Sequence, residues 1–359
     1  MEAHHCIDTI VMANSLIKIF LRINMRKIKI LLFILIIIII QSCKTDRAFP
    51  EVKKLNEFKS TDFFPTLEHK ITKDKNSIYC STLLLAWDEI KETIKTPLQF
   101  DSSLYDLYLL NSSQSYLGTL QAKEYYSESI IDGDLITAKA EFKKSLPFEW
   151  KLNSFINKLT FNNQKVQSFG MFGYDYETSG IIQVLYYKND NNFILKLSPK
   201  DKEHEIVLCM TESSFSSMAD LIEEISNKLK VAENERLNSK LFWKFYLTDN
   251  DEVVIPKFSF NIETNYSTLE GKTFKSDDTN FKIEEAWQRT AFILDENGAE
   301  IESESEVAVA LDSVEVEEEK PRPKKMRFDK PFFLMLKRTD SKNPYFGIWV
   351  GNDELMLKE

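Results

Sequence analysis

The stretch QRTAFILDENGAEIESESEVAVALDS, Gln288 to Ser313, decides the fold. An apolar run from Ala291 to Leu294 meets a turn at Asp295 to Gly298. Beyond the turn, glutamates take every second position from Glu300 to Glu306, alternating with Ala299, Ile301, Ser303, Ser305 and Val307. A two-residue period is that of a strand with one buried and one wet face. The alternation then runs into Glu315, Glu317, Glu318 and Glu319 and the basic stretch KPRPKKMR, Lys320 to Arg327, which has the character of an exposed loop. A strand is written into a loop.

Working outward, the other end of the chain carries a targeting pattern. From Met25 the sequence reads MRKIKILLFILIIIIIQSC, with Arg26, Lys27 and Lys29 ahead of an apolar run from Ile30 to Ile40 and then Cys43. The apolar core has signal-peptide length and is short for a spanning helix. The layout is similar to a bacterial lipoprotein signal, although Ile40-Gln41-Ser42 departs from the usual small residues before the lipidated Cys. The competing reading is an uncleaved anchor. Residues 1–24 are read as upstream of the true start, 25–42 as the signal, 43–60 as a polar tether and 61–359 as the folded domain. Acylation at Cys43 would place the protein in a bacterial cell envelope, held to a membrane, with the outer membrane the expected site.

The full chain has a formal net charge of −10, and no basic cluster is interleaved with aromatics, so nucleic acid is excluded as a partner. Only Cys80 and Cys209 follow Cys43, and two separately buried thiols are preferred to a disulfide. His69 and His204 stand in charged surroundings with no Cys or His at ligand spacing, and are read as solvated surface residues. Phosphate loops, dinucleotide turns, zinc helices and nucleophile elbows are missing from the sequence. Asp132 to Asp134 and Asp249 to Glu252 lack calcium-loop spacing and read as turns. Neither an enzyme nor a metal or other cofactor is expected.

Asn76 to Ile94 reads as a helix with Leu83, Leu84, Leu85, Trp87 and Ile90 on its apolar side and Pro97 beyond its end. Strands are expected at YDLYLL, GIIQVLYY, NFILKLS, EIVLCM, EVVIPKFSF, RTAFIL, PFFLMLK and YFGIWV, with amphipathic helices at Met218 to Leu229 and Arg236 to Tyr246. The layout is α+β.

The order of these pieces resembles a serpin. Gln288 to Glu300 is similar to that family's strand and hinge, with Glu296, Gly298 and Glu300 in place and Ala299 where the family has Thr. FDKPFFLMLKR, Phe328 to Arg338, resembles the strand after the family's reactive loop, and VVIPKF, Val253 to Phe258, its Val-x-Leu-Pro-Lys-Phe stretch. Trp150, Phe155 and Thr160 look like residues at the top of the family's main sheet, and Phe346, Val350 and Asn352 like its terminal residues. Ser81 to Trp150 is about half the family's usual length, and the loop, about 296–327, is longer than usual.

The resemblance implies a serpin-like α+β fold, with a large mixed sheet, smaller sheets, surrounding helices of which some are missing, and an exposed reactive loop. It implies a monomeric inhibitor of serine or cysteine proteases, with Glu296, Gly298, Ala299, Glu300, Ile301, Ser303 and Ser305 as hinge and Asp312-Ser313 as the bond cut. Lys324, Lys325 and Arg327 offer alternative trypsin-like sites. In the register it implies, Ala299, Ile301, Ser303, Ser305, Val307 and Val309 face the core on insertion, and Glu300, Glu302, Glu304 and Glu306 face water. Ile301 is bulky for a hinge and the glutamates repel one another, which favours the alternative, a non-inhibitory surface lipoprotein that binds a partner or presents its loop.

Overall fold

Apolar runs bounded by turn residues form the strands. The structure, a computed structural model, describes residues 47–101, 103–132, 135–178, 180–238, 240–302 and 322–359. Cys43, Ser303, Ser305, Val307, Val309, Asp312 and Ser313 fall outside the described residues, as do 1–24 and the signal. One compact unit covers Phe49–Glu359.

In chain order the strands are β1 (Lys53–Lys54), β2 (Thr61–Phe64), β3 (Asn76–Cys80), β4 (Tyr126–Asp132), β5 (Leu135–Glu141), β6 (Lys143–Pro147), β7 (Asn153–Phe161), β8 (Gln164–Phe172), β9 (Ile182–Asn189) and β10 (Asn192–Leu197). They continue with β11 (His204–Met210), β12 (Glu252–Pro256), β13 (Phe258–Asn265), β14 (Thr273–Ser276), β15 (Thr279–Lys282), β16 (Trp287–Asp295), β17 (Gly298–Glu302), β18 (Lys325–Arg327), β19 (Phe332–Arg338) and β20 (Pro344–Val350). The helices are α1 (Thr82–Ile94), α2 (Tyr105–Ser112) and α3 (Met218–Arg236).

A seven-stranded sheet has the order β2-β3-β20-β19-β11-β10-β9, a five-stranded sheet β1-β13-β16-β17-β6, and a four-stranded sheet β18-β12-β8-β7. Parallel pairs occur where β2 meets β3, β1 meets β13 and β18 meets β12, so all three sheets are mixed. With three helices among the described residues, the fold is α+β. Phe258 and Phe292 of the five-stranded sheet meet Phe332 and Phe346 of the seven-stranded one, with ring centroids 6.4 Å and 4.8 Å apart, so the core lies between these two sheets.

Several elements differ from their sequence readings. YDLYLL is helical, in α2, because Leu107 and Leu110 are buried while Tyr105 and Tyr108 are exposed, a spacing of three on each face. The helix expected from Asn76 begins at Thr82, since Asn76–Cys80 form a strand buried along its whole length between β2 and β20. Helix α3 runs on to Arg236, after a capping box in which the Ser217 hydroxyl accepts from the Asp220 amide, and the second expected helix is reduced to a 3-10 turn at Phe242–Phe245. Residues 53–57, within the stretch read as tether, form β1 and a short 3-10 turn. Cys80 and Cys209 are both buried and free, as read from the sequence, and burial pushes the Cys209 thiol up to about 12.

Candidate functional site

The loop that begins at Glu296 enters the five-stranded sheet at once. Strand β17 is hydrogen-bonded to β16 on one side and to β6 on the other, both antiparallel. Ala299 stands between Leu294 and Leu146, and Ile301 between Phe292 and Lys144. Both Ala299 and Ile301 are 0% exposed. Gly298 makes the close approach feasible: its φ is +126°, and a Cβ there would lie 2.4 Å from the Leu146 carbonyl oxygen.

Glu300 takes the opposite face, but solvent does not reach it, contrary to the reading of the alternation. It is 5% exposed, set between Ile293 and Ser145, and its carboxylate accepts from the Ser145 hydroxyl at 2.9 Å. Neighbouring strands on both sides wall it in. Glu302 is half-buried and ion-paired to Arg289.

Glu296 anchors the entry. Its carboxylate is held by Lys257 and, at 3.3 Å, by Lys151, while its carbonyl accepts from the Leu152 amide at 2.9 Å. Lys257 also donates to the Ser154 hydroxyl at 2.8 Å. Burial alone would raise the Glu296 carboxyl, but the two lysines hold it below its ordinary value. Of the residues read as the top of the main sheet, Trp150 is exposed just after β6, and Phe155 and Thr160 lie on β7 in the four-stranded sheet, the Phe155 ring tilted against Phe172 with centroids 4.7 Å apart. Sequence reasoning missed Lys151, Ser154 and Lys257. Lys257 stood in a quoted motif, where its position between two strands of different sheets was the available signal.

At the exit, Lys324 is 1% exposed. Its ammonium pairs with Asp251 at 2.8 Å, donates to the Trp243 carbonyl at 3.2 Å and lies over the rings of Tyr187, Trp243 and Tyr246. The Lys324 amide donates to the same Asp251 carboxylate at 2.6 Å. Strand β18 then pairs with β12, and Arg327 binds Glu252. These placements correct the trypsin-like alternatives: Lys324 is closed to a protease, and Lys325 and Arg327 have their backbones in a strand.

The histidines are also corrected. His69 is 5% exposed, bonded to Thr66 and paired with Asp106 at 3.3 Å; His204 is 2% exposed. His204 Nε2 lies 2.9 Å from Glu124 and 3.1 Å from the Lys144 ammonium. Arg338, opposite His204 in the β11–β19 register, binds Glu124, Glu203 and Asp340. Burial alone would raise the Glu124 carboxyl, but the Gln121 amide, Lys144 and His204 bring it down to about 2. Glu124, Glu203 and His204 bring one ligating atom each within 4.8 Å of one another. Lys144 and Arg338 already supply the positive charge there, so a metal ion would have to displace an ammonium. Among the described residues no helix is long and apolar enough to cross a membrane.

No protein-family model and no curated protein matches the chain. Among solved structures it is similar to cleaved serpin 42Da, at 12% identity and a TM-score of 0.36, over 61% of this chain and 55% of that one. A loop-inserted structure of cleaved ovalbumin mutant R339T is matched at 14% identity and a TM-score of 0.38, over 75% and 65% respectively. The serpin from Schistosoma mansoni is matched at 12% identity and a TM-score of 0.35, over 62% and 57%. This chain therefore spans between 55% and 65% of the length of those three proteins.

Proposed function

We propose that the chain is a serpin-like protease inhibitor, whose loop is cut by a target protease and then fed into the five-stranded sheet. The observation that carries the reading is the position of β17: Gly298–Glu302, near the start of the loop, are an inner strand, paired on both sides. Continuing that register past Glu302 sets Ser303 opposite Thr290 and Ser305 opposite Gln288. Thr290 and Gln288 are both buried, and Tyr266 and Gln288 are hydrogen-bonded side by side. Polar loop residues would thus meet a polar part of the core, and the apolar Ile301 already meets Phe292.

In this mechanism the protease nucleophile attacks the carbonyl of the cut bond, with Asp312-Ser313 the candidate, forms an ester or thioester with it and releases the amine of the next residue. Inhibition requires insertion to outrun hydrolysis of that acyl-enzyme. Ile301, the bulky residue set against rapid hinge entry, lies in the sheet before any cut, so insertion starts beyond it.

The test is to cut the loop between Leu311 and Val316 with a protease that accepts Asp. An inhibitor gives a protease adduct that survives boiling in detergent, and a cleaved form that melts far above the intact one. A rise without an adduct would mean a substrate whose loop inserts too slowly to trap the protease. No rise in melting temperature would end the insertion reading and leave the second, a non-inhibitory surface module. That reading is favoured by the same paired hinge, because an intact form already resembling the inserted one leaves less free energy to release on cutting. Acylation at Cys43 and an envelope location complete the proposal; labelled fatty acid that enters the wild type but not Cys43→Ala would support them.

A further inference from the structure

A buried charge cluster lies under the strand against which the loop pairs. Lys144 shares the core-facing side of β6 with Leu146, directly opposite Ile301, and its ammonium reaches Glu124 and His204. His204 opens β11 and Arg338 closes β19, so the cluster ties the rim of the five-stranded sheet to the end of the seven-stranded one. Among the described residues β17 is the only strand paired with β6. Whatever holds Lys144 therefore holds the seam between β6 and β17.

We propose that His204 is a pH-sensitive latch on that seam: protonated, it loosens Lys144 and β6, and opens the β6–β17 pairing in mildly acidic surroundings. Six charged or polar side chains face the imidazole, one of them Glu203, whose carboxylate comes within 4.8 Å of the ring and favours the cation. Glu124, from the segment before β4, and Asp201, from the turn before β11 at 3.8 Å, favour the cation. Lys144 from β6 opposes it at 3.1 Å, and Tyr345 from β20 packs edge-on at 5.5 Å. Arg338 from β19 is engaged with Glu124, Glu203 and Asp340. With both ring nitrogens protonated, Nε2 has no lone pair left for the Lys144 ammonium. Nδ1, which has no hydrogen-bond partner among the described residues, already carries the N–H of the neutral tautomer, so the added proton sits on Nε2 and replaces the bond from Lys144 by one donated to Glu124.

Burial lowers the imidazole below its ordinary 6.5, Lys144 lowers it further, and Glu124 and Asp201 oppose them. A base with a depressed folded value stabilises the fold fully above 6.5 and loses that contribution as pH falls below it. Glu124, held down at about 2, stays ionised throughout that window.

The seam is read by hydrogen exchange in the intact, uncleaved protein, as protection factors for the amides of Ser145, Ala299 and Ile301 at pH 7.5 and 5.5. We expect protection to fall in wild type, by at most about tenfold, and to stay level in His204→Gln. Wild-type protection that does not change, or His204→Gln that loses it equally, would overturn the latch. If His204→Gln fails to fold, the His204 ring is titrated by NMR in wild type and in Lys144→Met. The midpoint should rise in Lys144→Met; equal midpoints overturn the proposal. The latch rests on the proposed loop insertion only for its consequence, so a seam that opens with acid in a protein that never traps a protease keeps the latch and removes the inhibitor.

Discussion

The two ends of the long loop are both tied by ion pairs, and they are tied differently. At the exit, Lys324 and Asp251 are each 1% exposed in their side chains and share an aromatic enclosure. At the entry, Glu296 and Lys257 keep about a tenth of their side-chain surface, and the second lysine, Lys151, is 62% exposed. A dry pair tolerates no rearrangement, because each charge left alone in the core costs several kcal/mol. A pair at the water's edge can be broken and remade cheaply. The exit pair is the drier fastening and the entry pair the wetter, and on the proposed mechanism a cut between them would leave the exit side in place while the entry side moves.

The largest effect should come from breaking the anchor. Asp251→Ala leaves Lys324 charged and unpaired in the enclosure and should cost about 4 kcal/mol in urea unfolding. The double change Asp251→Asn with Lys324→Met, which removes both charges, nearly keeps the volume and leaves an amide oxygen to accept from the Lys324 backbone, should return most of that loss. A double variant as unstable as the single one would mean that the aromatic packing, rather than the charge pair, anchors the exit.

Next is the backbone of the hinge. Gly298→Ala must place a Cβ within 2.4 Å of the Leu146 oxygen at a φ of +126°, and should cost about 3 kcal/mol. The loss should be local, with exchange protection disappearing first from β17 and β6. Uniform loss across the seven-stranded sheet would contradict a hinge that moves by itself.

Ile301→Ala follows. Ile301 is fully buried against Phe292, so its truncation should cost between about 2 and 3 kcal/mol in the intact chain. Because Ile301 already lies in the sheet, the same change leaves the proposed insertion beyond it unaltered, so the rate of adduct formation should not fall with stability. A drop in both would show that the hinge acts only as a structural strand.

Much of this was legible in the sequence. The strands of the second half follow from continuous apolar runs, and the burial of Ala299 and Ile301 follows from a period of two. The partners of charged groups were illegible. His204 looked solvated because charges surround it in the chain, but those that bury it come from Glu124, Lys144 and Arg338, distant in sequence. Glu300 looked solvated because alternation assigns a face without saying what covers it. Lys324 looked like bait because a basic, Pro-containing stretch reads as loop, and the rings that enclose it come from β9 and from residues 243 and 246. Local pattern specifies direction; enclosure is a property of the fold.

The smallest effect concerns the entry pair and separates hinge from anchor most sharply. Burial alone would raise the Glu296 carboxyl, yet Lys257 and Lys151 hold it below its ordinary 4.5. An acid with a depressed folded value contributes its stability fully above 4.5 and loses it as pH falls. Glu296→Gln should therefore cost about 1 kcal/mol at pH 7, and the gap to wild type should close in acid below 4.5. Added salt should shrink the same gap at pH 7, because Lys151 is open to solvent, while leaving the Asp251→Ala loss nearly untouched. If salt affects both variants alike, the two ends of the loop are the same kind of fastening, and the loop has no preferred side from which to move.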